Sequence, residues 1–362
     1  MTGLEKKMKI GILTFHRSRN YGAVLQAYGL TQTLKKIEKD TEIIDYVCTP
    51  IENTLHLWNI SANMVRSVKQ FIFRLQKKIA FDGFIKKRLP ITQRKNITKS
   101  DLVKELNRYD YLIVGSDQIW NTKITDNDET YFLDVPGIKA KKIAYAGSAG
   151  DSISFESREL KRLKEFDKIS VRETKLEEYL KVRGIESTVC CDPSLLLDAS
   201  DYIKIQSRRL YKNKYIFLFM IWESDTLISL ANKYAQEHGY VLISNKNCID
   251  FFLHCKPEEF LSWIYHAECV LTNSFHGTVF ALLYHKKFIS DTRRPNGGVN
   301  ERVQDILKTV NCSECILSDM NRKEGLQFHT VDFNKVDQSL EALRRKSLDW
   351  LFNLGLSDQW SV

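Results

Sequence analysis

Short apolar runs alternate with amphipathic stretches along this chain, and that alternation predicts its elements. "KIGILTF", residues 9–15, is apolar almost without interruption, the pattern of a strand buried on both faces of a parallel sheet. Ala23, Ala27, Leu30, Leu34 and Ile37 then recur at helical spacing. "EIIDYV" (42–47), "YDYLIVGS" (109–116), "KKIAYAG" (141–147), "KISVR" (168–172) and "STVCCDP" (187–193) read as further strands. From Ser194 to Lys214 the pattern loosens. A second series then begins with "YIFLFMIW" (215–222) and continues through a helix over 225–237, "GYVLIS" (239–244), a helix near 257–265, "ECVLTNS" (268–274), a helix containing His276, and "KKFIS" (286–290). The chain ends in an amphipathic stretch, "VDQSLEALRRKSLDWLFNLGL" (336–356).

Strands alternating with helices predict an α/β fold: two Rossmann-like domains with parallel sheets facing a cleft. The expected bounds are 1–200 for the first domain, 201–340 for the second, and 341–362 for a terminal helix packing back on the first. In such folds ligands bind at the carboxyl ends of the strands, so residues just after strands are the first candidates for chemistry.

Composition narrows the class without naming a function. The 362 residues are 43% hydrophobic and 27% charged, which is ordinary for a globular chain with ample core. No apolar run reaches membrane-spanning length, and "MTGLEKKMKI" lacks the apolar region of a signal peptide, so a cytoplasmic protein is expected. Eight cysteines then read as reduced thiols. Cys312-x-x-Cys315 is a lone pair of sulfurs with no second pair nearby, and Asp126-x-Asp128 fits a surface loop as well as a metal site. No metal is expected. GxxxxGK[ST], GxGxxG and HExxH are all absent.

The net charge of +9 favours an anionic partner. The excess concentrates in residues 64–96, where Asp82 is the one acid among many Lys and Arg, interleaved with Phe71, Ile72, Leu75, Ile79, Phe81 and Phe84. This predicts one or two basic amphipathic helices ending at Pro90, placed in the first domain. They form either a solvated face or a contact with a membrane surface or lipid-linked anionic substrate. No nucleic-acid recognition motif accompanies the charge, and no nucleic-acid partner is expected.

Four polar junctions follow strands. His16, Arg17, Arg19, Asn20 and Tyr21 precede the first helix, where Asn20 suits a cap and the others suit a ligand. Ser116, Asp117, Gln118, Trp120 and Asn121 form either a capped turn or a set of sugar contacts. In the second reading the indole stacks on a sugar face, and the carboxylate and amides bind hydroxyls. Arg172 ends an apolar strand, so it either pairs with a carboxylate such as Glu173 or Asp192 or binds an anionic ligand. In "LTNSFHGTVFALL" (271–283), Asn273 or Ser274 caps a helix whose N-terminus favours anions, and His276 is surplus to capping. Arg293, Arg294 and Arg302 follow in a Gly-containing loop and either complete an anion pocket or are solvated.

Five segments in order, "NYGAVLQAYGL", "GSDQIWN", "SVRE", "CDPSLLL" and "LTNSFHGTVFALL", resemble the polysaccharide pyruvyl transferase family over most of the chain. The resemblance implies a GT-B-like fold and transfer of pyruvate from phosphoenolpyruvate to a sugar, usually as a cyclic ketal, in exopolysaccharide, capsule or other surface-glycan synthesis. It implies donor roles for His276 and Arg172, with Asn273, Ser274 and Gly277 in the same segment. Some relatives carry an arginine where this chain has Ser274, and Arg293 or Arg302 is expected to replace it. Asp117 joins the catalytic set, with His16, Asn20, Tyr21, Ser116, Gln118, Trp120 and Asn121 on the acceptor side. No cofactor beyond the phosphoenolpyruvate donor is implied, and the partners are the donor, a sugar or lipid-linked acceptor and the inner membrane face. Two alternatives stand beside this reading: a GT-B glycosyltransferase using a nucleotide sugar, and a non-catalytic assembly protein at the membrane surface.

Overall fold

The computed structural model describes residues 8–55, 64–150, 153–246, 248–295 and 297–355, without the side chains of 64–67 and 69. The chain divides into two compact units. The first comprises Met1–His56, Ile85–Leu197 and Leu343–Val362, and the second Leu57–Phe84 and Asp198–Ala342.

The first unit is built on six parallel strands: β1 (Ile10–Leu13), β2 (Thr41–Ile43), β3 (Tyr111–Val114), β4 (Lys141–Gly147), β5 (Lys168–Val171) and β6 (Thr188–Val189). Their order is β2-β1-β3-β4-β5-β6, with Ile12 opposite Ile43 on one side and Ile113 on the other. β1 and β3 are buried at every residue, because helices cover both sheet faces and the strands need apolar side chains on each. The chain leaves β1 toward β2 and then crosses to β3 on the opposite side. The order therefore reverses between β1 and β3, which is where open α/β sheets bind ligands.

Helix Tyr21–Ile37 starts at Asn20, whose side chain accepts from the Gly22 amide, and ends in Lys35 and Lys36, which suit the negative end of its dipole. It passes close enough to the turn Pro193–Leu195 that a Cβ at Gly29 would stand 2.2 Å from the Pro193 carbonyl oxygen. The terminal helix, Phe333–Phe352, belongs to this unit from Leu343 onward. Arg344 Nε donates to the Leu195 carbonyl at 2.8 Å, and Ser347 Oγ accepts from the Cys191 amide at 2.9 Å. Residues 356–362 of the expected terminal segment lie outside the described residues.

The second unit has four parallel strands, β7 (Tyr215–Phe219), β8 (Val241–Ser244), β9 (Cys269–Thr272) and β10 (Lys287–Ser290), in the order β10-β9-β7-β8. The reversal here falls between β7 and β9. Helix Asp225–His238 is capped by Ser224 and stops at Gly239, whose φ of 66° is left-handed. Phe217, Phe260, Phe280, Trp263 and Tyr215 fill the core with edge and stacked ring contacts.

The basic stretch is one helix, Met64–Arg88. Residues 64–84 of it belong to the second unit rather than the first, where the sequence expectation put them, and Ile85–Arg88 to the first. Phe73 stacks on Phe252 with centroids 4.0 Å apart, and Phe81 and Phe84 are buried. These rings, rather than proximity along the chain, decide which unit the helix joins. All eight cysteines are free thiols, seven of them buried. Among the described residues no helix is long and apolar enough to cross a membrane.

Candidate active site

In the second unit the site grows from the end of β9. Thr272 Oγ1 donates to the Phe219 carbonyl of β7 at 2.7 Å and accepts from the Ser274 amide at 3.0 Å, so one hydroxyl ties both strand ends together. Asn273 fastens the same two loops. Its Oδ1 accepts from the Ile221 amide at 2.7 Å and its Nδ2 donates to the Trp222 carbonyl at 2.9 Å. Ser274 caps helix Phe275–Leu283 by accepting from the Gly277 amide at 3.3 Å. A Cβ at Gly277 would lie 2.4 Å from Thr272 Oγ1, so glycine is required for the helix to pack this closely on the strand. Asn273, Ser274 and Gly277, expected to touch the donor, are thus buried and their polar groups are committed to holding the junction together.

His276 is the half-buried residue of this first turn. Its ring meets Phe275 edge-on at 5.1 Å, and the Arg302 guanidinium lies 5.9 Å from the Phe275 centroid. Arg294 lies over Trp222 at 5.4 Å. The loop after β10 is stitched to the end of β9, since Asn300 Nδ2 donates to the Asn273 carbonyl at 3.3 Å and the Asp291 amide to the Thr272 carbonyl at 2.8 Å. An imidazole and two guanidinium groups thereby gather at the β7/β9 reversal, beside the positive end of a nine-residue helix. Arg293 stands apart from them. It is exposed and pairs with Asp319 at 2.7 Å.

In the first unit four of the expected acceptor residues, Trp120, Ser116, His16 and Tyr21, are interior. Trp120 is 1% exposed, its Nε1 donates to the Tyr131 carbonyl at 3.1 Å, and its ring packs among Phe132, Phe155 and Phe166. It is a core residue and offers no face to a sugar, because those rings cover it. Ser116 is fully buried and donates to the Ala146 carbonyl at 2.9 Å. His16 is buried too. Its Nε2 meets Asp45 Oδ1 at 2.9 Å and its Nδ1 the Thr14 carbonyl at 3.1 Å, so both nitrogens face oxygen acceptors. Asp45 also accepts from Arg17 at 2.9 Å and from the Asn96 amide at 3.0 Å. Burial pushes its pKa up, but the bonds from His16 and the Asn96 amide and the charges of His16 and Arg17 hold it well below the usual carboxylate range. Arg17 Nε reaches Glu52 at 2.5 Å and completes a charged network that fixes the loop after β1. Tyr21 is buried, and Asn20 is exposed as the cap.

Arg172 is placed among three carboxylates. Its Nη1 donates to Asp192 Oδ2 at 2.7 Å, its Nε to Glu173 Oε1 at 3.4 Å, and its Nη2 stands 4.0 Å from Asp117 Oδ1. Burial works against its charge, but Glu173, Asp192 and Asp117 outweigh burial and raise its pKa. Glu173 also accepts from the Ser148 hydroxyl at 2.5 Å. One guanidinium among three carboxylates leaves the cluster short of positive charge, which suits holding hydroxyls and accepting protons better than binding phosphate. Asp117 is the outermost carboxylate of the three and sits at a left-handed φ of 71°, which aspartate tolerates better than most residues. Gln118 and Asn121, half-buried beside it, bond each other at 2.7 Å.

Sequence reasoning missed Asp45 and Glu52, and weighed Asp128 only within a surface-loop or metal pair. The signal for Asp45 was present, since an acid ends the β2 run in "EIIDYV", but it was absorbed into the strand pattern. Asp128 is buried and accepts from Tyr46 at 2.6 Å and Lys99 at 3.2 Å. Among the described residues no group of three His, Cys, Asp or Glu is placed to hold a metal ion.

Two parallel α/β units, each with polar loops at the reversal of its strand order, define the GT-B type of fold. S. aureus MnaA, solved with UDP, is similar in structure over 98% of this chain and 99% of its own, with a TM-score of 0.51 and 12% identity. The UDP-GlcNAc 2-epimerase of Methanocaldococcus jannaschii (TM-score 0.47, 12% identity, 96% and 99% covered) and the E. coli ADP-heptose lps heptosyltransferase II (0.37, 12%, 94% and 99%) are more distant. At this identity the likeness to MnaA shows the fold alone. No curated protein matches the chain significantly in sequence. The chain belongs to the polysaccharide pyruvyl transferase family, whose model matches residues 20–290.

Proposed function

We propose that this protein transfers pyruvate from phosphoenolpyruvate to a sugar acceptor as a ketal, in the synthesis of a surface polysaccharide. The observation that carries the reading is His276 in the first turn of the helix at the β7/β9 reversal, with Arg302 and Arg294 on the neighbouring rings. The second unit takes the donor. Phosphoenolpyruvate is polyanionic, and charge-assisted bonds from arginine together with a helix N-terminus favour it there. Arg172 is replaced in the donor role by Arg302 and Arg294.

His276, as imidazolium, protonates the methylene carbon and leaves an oxocarbenium-like centre at C2. A sugar hydroxyl adds to that centre and gives up its proton to a general base. A second hydroxyl of the same sugar then displaces phosphate from C2 and loses its own proton, closing the ketal. The sum is phosphoenolpyruvate plus diol giving ketal plus inorganic phosphate. Holding two adjacent hydroxyls in line supplies much of the rate. His276→Ala should keep the fold and lose roughly two to four orders of magnitude in kcat, read as phosphate release from phosphoenolpyruvate with a panel of glycoside acceptors. Activity near wild type in that variant rejects the acid. Stabilisation by nucleotide sugars but not by phosphoenolpyruvate in thermal-shift experiments favours glycosyl transfer instead.

The same reading places the enzyme in the cytoplasm, where its free thiols stay reduced, acting on a lipid-linked acceptor at the membrane face. Helix Met64–Arg88 supports this. Val68, Ile72 and Ile79, spaced to share one helix face, are 44%, 53% and 64% exposed, and the exposed Lys86 and Lys87 follow them. An exposed apolar stripe on a basic helix suits an anionic lipid surface.

A further inference from the structure

A cavity of about 670 Å³ opens in the first unit, where the chain emerges from β2 and where it turns after β3. Its size is that of a small-molecule site, which runs from about 300 to 1,000 Å³. Three features of its wall select a ligand.

The first is a rigid base. Asp128 accepts from the Tyr46 hydroxyl at 2.6 Å and from the Thr130 amide at 3.1 Å, and Thr130 Oγ1 donates to the Tyr46 oxygen at 3.1 Å. Lys99 closes the set at 3.2 Å from Asp128. Among the described lining residues Lys99 carries the one ammonium, and it is already paired.

The second is the rim, which is rich in neutral hydrogen-bonding groups: the hydroxyls of Thr49, Thr98 and Ser100 and the carboxamide of Asn53. Pro50 adds an apolar surface beside them. Hydroxyls and amides that both donate and accept match a ring of hydroxyls, whereas a hydrocarbon ligand would leave them unsatisfied.

The third is Asp126. It is exposed on the rim at a left-handed φ of 50°, and Asn127 after it is left-handed too at 57°. Two successive non-glycine residues in that region are uncommon and occur where a loop holds a side chain in a set direction. Bonds from the Asn127 amide to the Thr122 carbonyl and from the Asp128 amide to the Thr125 carbonyl keep the loop in this shape. With Asp126 and Asp128 against Lys99, the described lining residues carry one excess negative charge. Phosphates, phosphoenolpyruvate and nucleotide diphosphates are repelled, and a neutral polyhydroxylated ring is not.

We infer that this cavity binds a neutral carbohydrate ring of the acceptor glycan, with Asp126 accepting from a pair of ring hydroxyls and Asn53 reading a third. The inference rests on the proposed function in so far as the ring belongs to the acceptor, but binding alone tests it without donor chemistry.

The experiment is saturation-transfer NMR with titration on the full-length protein. Methyl β-galactopyranoside and methyl β-glucopyranoside serve as probes and galactose 1-phosphate as the charged control, all without phosphoenolpyruvate. At least one glycoside should bind and the sugar phosphate should bind more weakly. Asp126→Asn keeps the left-handed backbone tolerable and should weaken glycoside binding about tenfold, as should Asn53→Ala, while His276→Ala should leave it unchanged. In the phosphate-release assay Asp126→Asn should raise the acceptor KM and leave the KM for phosphoenolpyruvate unaltered. Absence of saturable glycoside binding, wild-type affinity in both rim variants, or tighter binding of the sugar phosphate overturns the inference. If glycosides bind through Asp126 but phosphoenolpyruvate releases no phosphate, the donor reading fails and the inference stands. If phosphate release proceeds with rim variants indistinguishable from wild type, the reverse holds.

Discussion

Adding one methyl group at Gly277 tests the junction that carries the proposed acid. An alanine Cβ there would stand 2.4 Å from Thr272 Oγ1 and 3.1 Å from its Cβ. Thr272 is fully buried, and its hydroxyl is held by the bonds to Phe219 and Ser274, so it cannot swing aside cheaply. Overpacking of this kind costs about 1–3 kcal/mol, and a contact this short belongs at the upper end. Alanine recovers roughly 1 kcal/mol of helix propensity over glycine. The net loss is therefore about 2 kcal/mol, which for a unit of this size lowers Tm by roughly 4–8 °C. Thr272→Ala removes the obstructing hydroxyl and costs about 1–2 kcal/mol by itself through its lost bonds. The double variant should be more stable than the sum of the two single losses predicts, by about 1–2 kcal/mol, because the clash no longer exists. Differential scanning fluorimetry with denaturant melts reads all four proteins. A Gly277→Ala protein as stable as wild type, or strict additivity in the cycle, refutes the claim that close packing dictates the glycine. Activity adds a second readout, since tilting the first helical turn moves His276 and should lower kcat before the unit unfolds.

Arg172→Ala leaves Asp192 and Glu173 buried without their shared cation, and should cost about 3–5 kcal/mol of stability. A folded variant with only a raised KM for phosphoenolpyruvate would instead return Arg172 to the donor. Asp45 has its pKa lowered by folding, so its contribution is complete above the unfolded value of about 3.9 and drains away as pH falls below it. The Tm gap between wild type and Asp45→Asn should accordingly be full at pH 6 and narrow below about pH 4, and a gap independent of pH contradicts the network. Sedimentation with phosphatidylcholine vesicles, with and without phosphatidylglycerol, tests the basic helix. Binding should require the anionic lipid, fall with salt, and drop at least about tenfold in Ile72→Asp/Ile79→Asp, whereas indifference to those substitutions removes the membrane contact.

The sequence alone determined the class of fold and the places where chemistry could sit. Buried parallel strands need apolar side chains on both faces, so "KIGILTF", "YLIV" and "YIFLF" announce themselves, and the polar residues that end such runs mark the ligand edge of the sheet. The order of five short segments was enough for the family, and a cap at Asn273 or Ser274 before an apolar helix was legible, though only the structure chose Ser274. What local pattern could not convey was which polar groups face inward. Trp120 has the same amphipathic ring in a core as on a sugar platform, and only the Tyr131 carbonyl and three surrounding phenylalanines decide the matter. Arg172 could not be assigned until Asp192 and Asp117, brought alongside it by neighbouring strands, supplied its partners. Residues 64–84 look like an appendage of the first domain in sequence, yet Phe73 finds its partner at Phe252 in the second unit. The cavity of the first unit draws on three stretches, around residues 46–53, 98–100 and 125–128, so nothing in any one of them announces it. Periodicity records how each segment meets its own layer, while partners far apart in the chain are set by strand order and helix packing, which no local window contains.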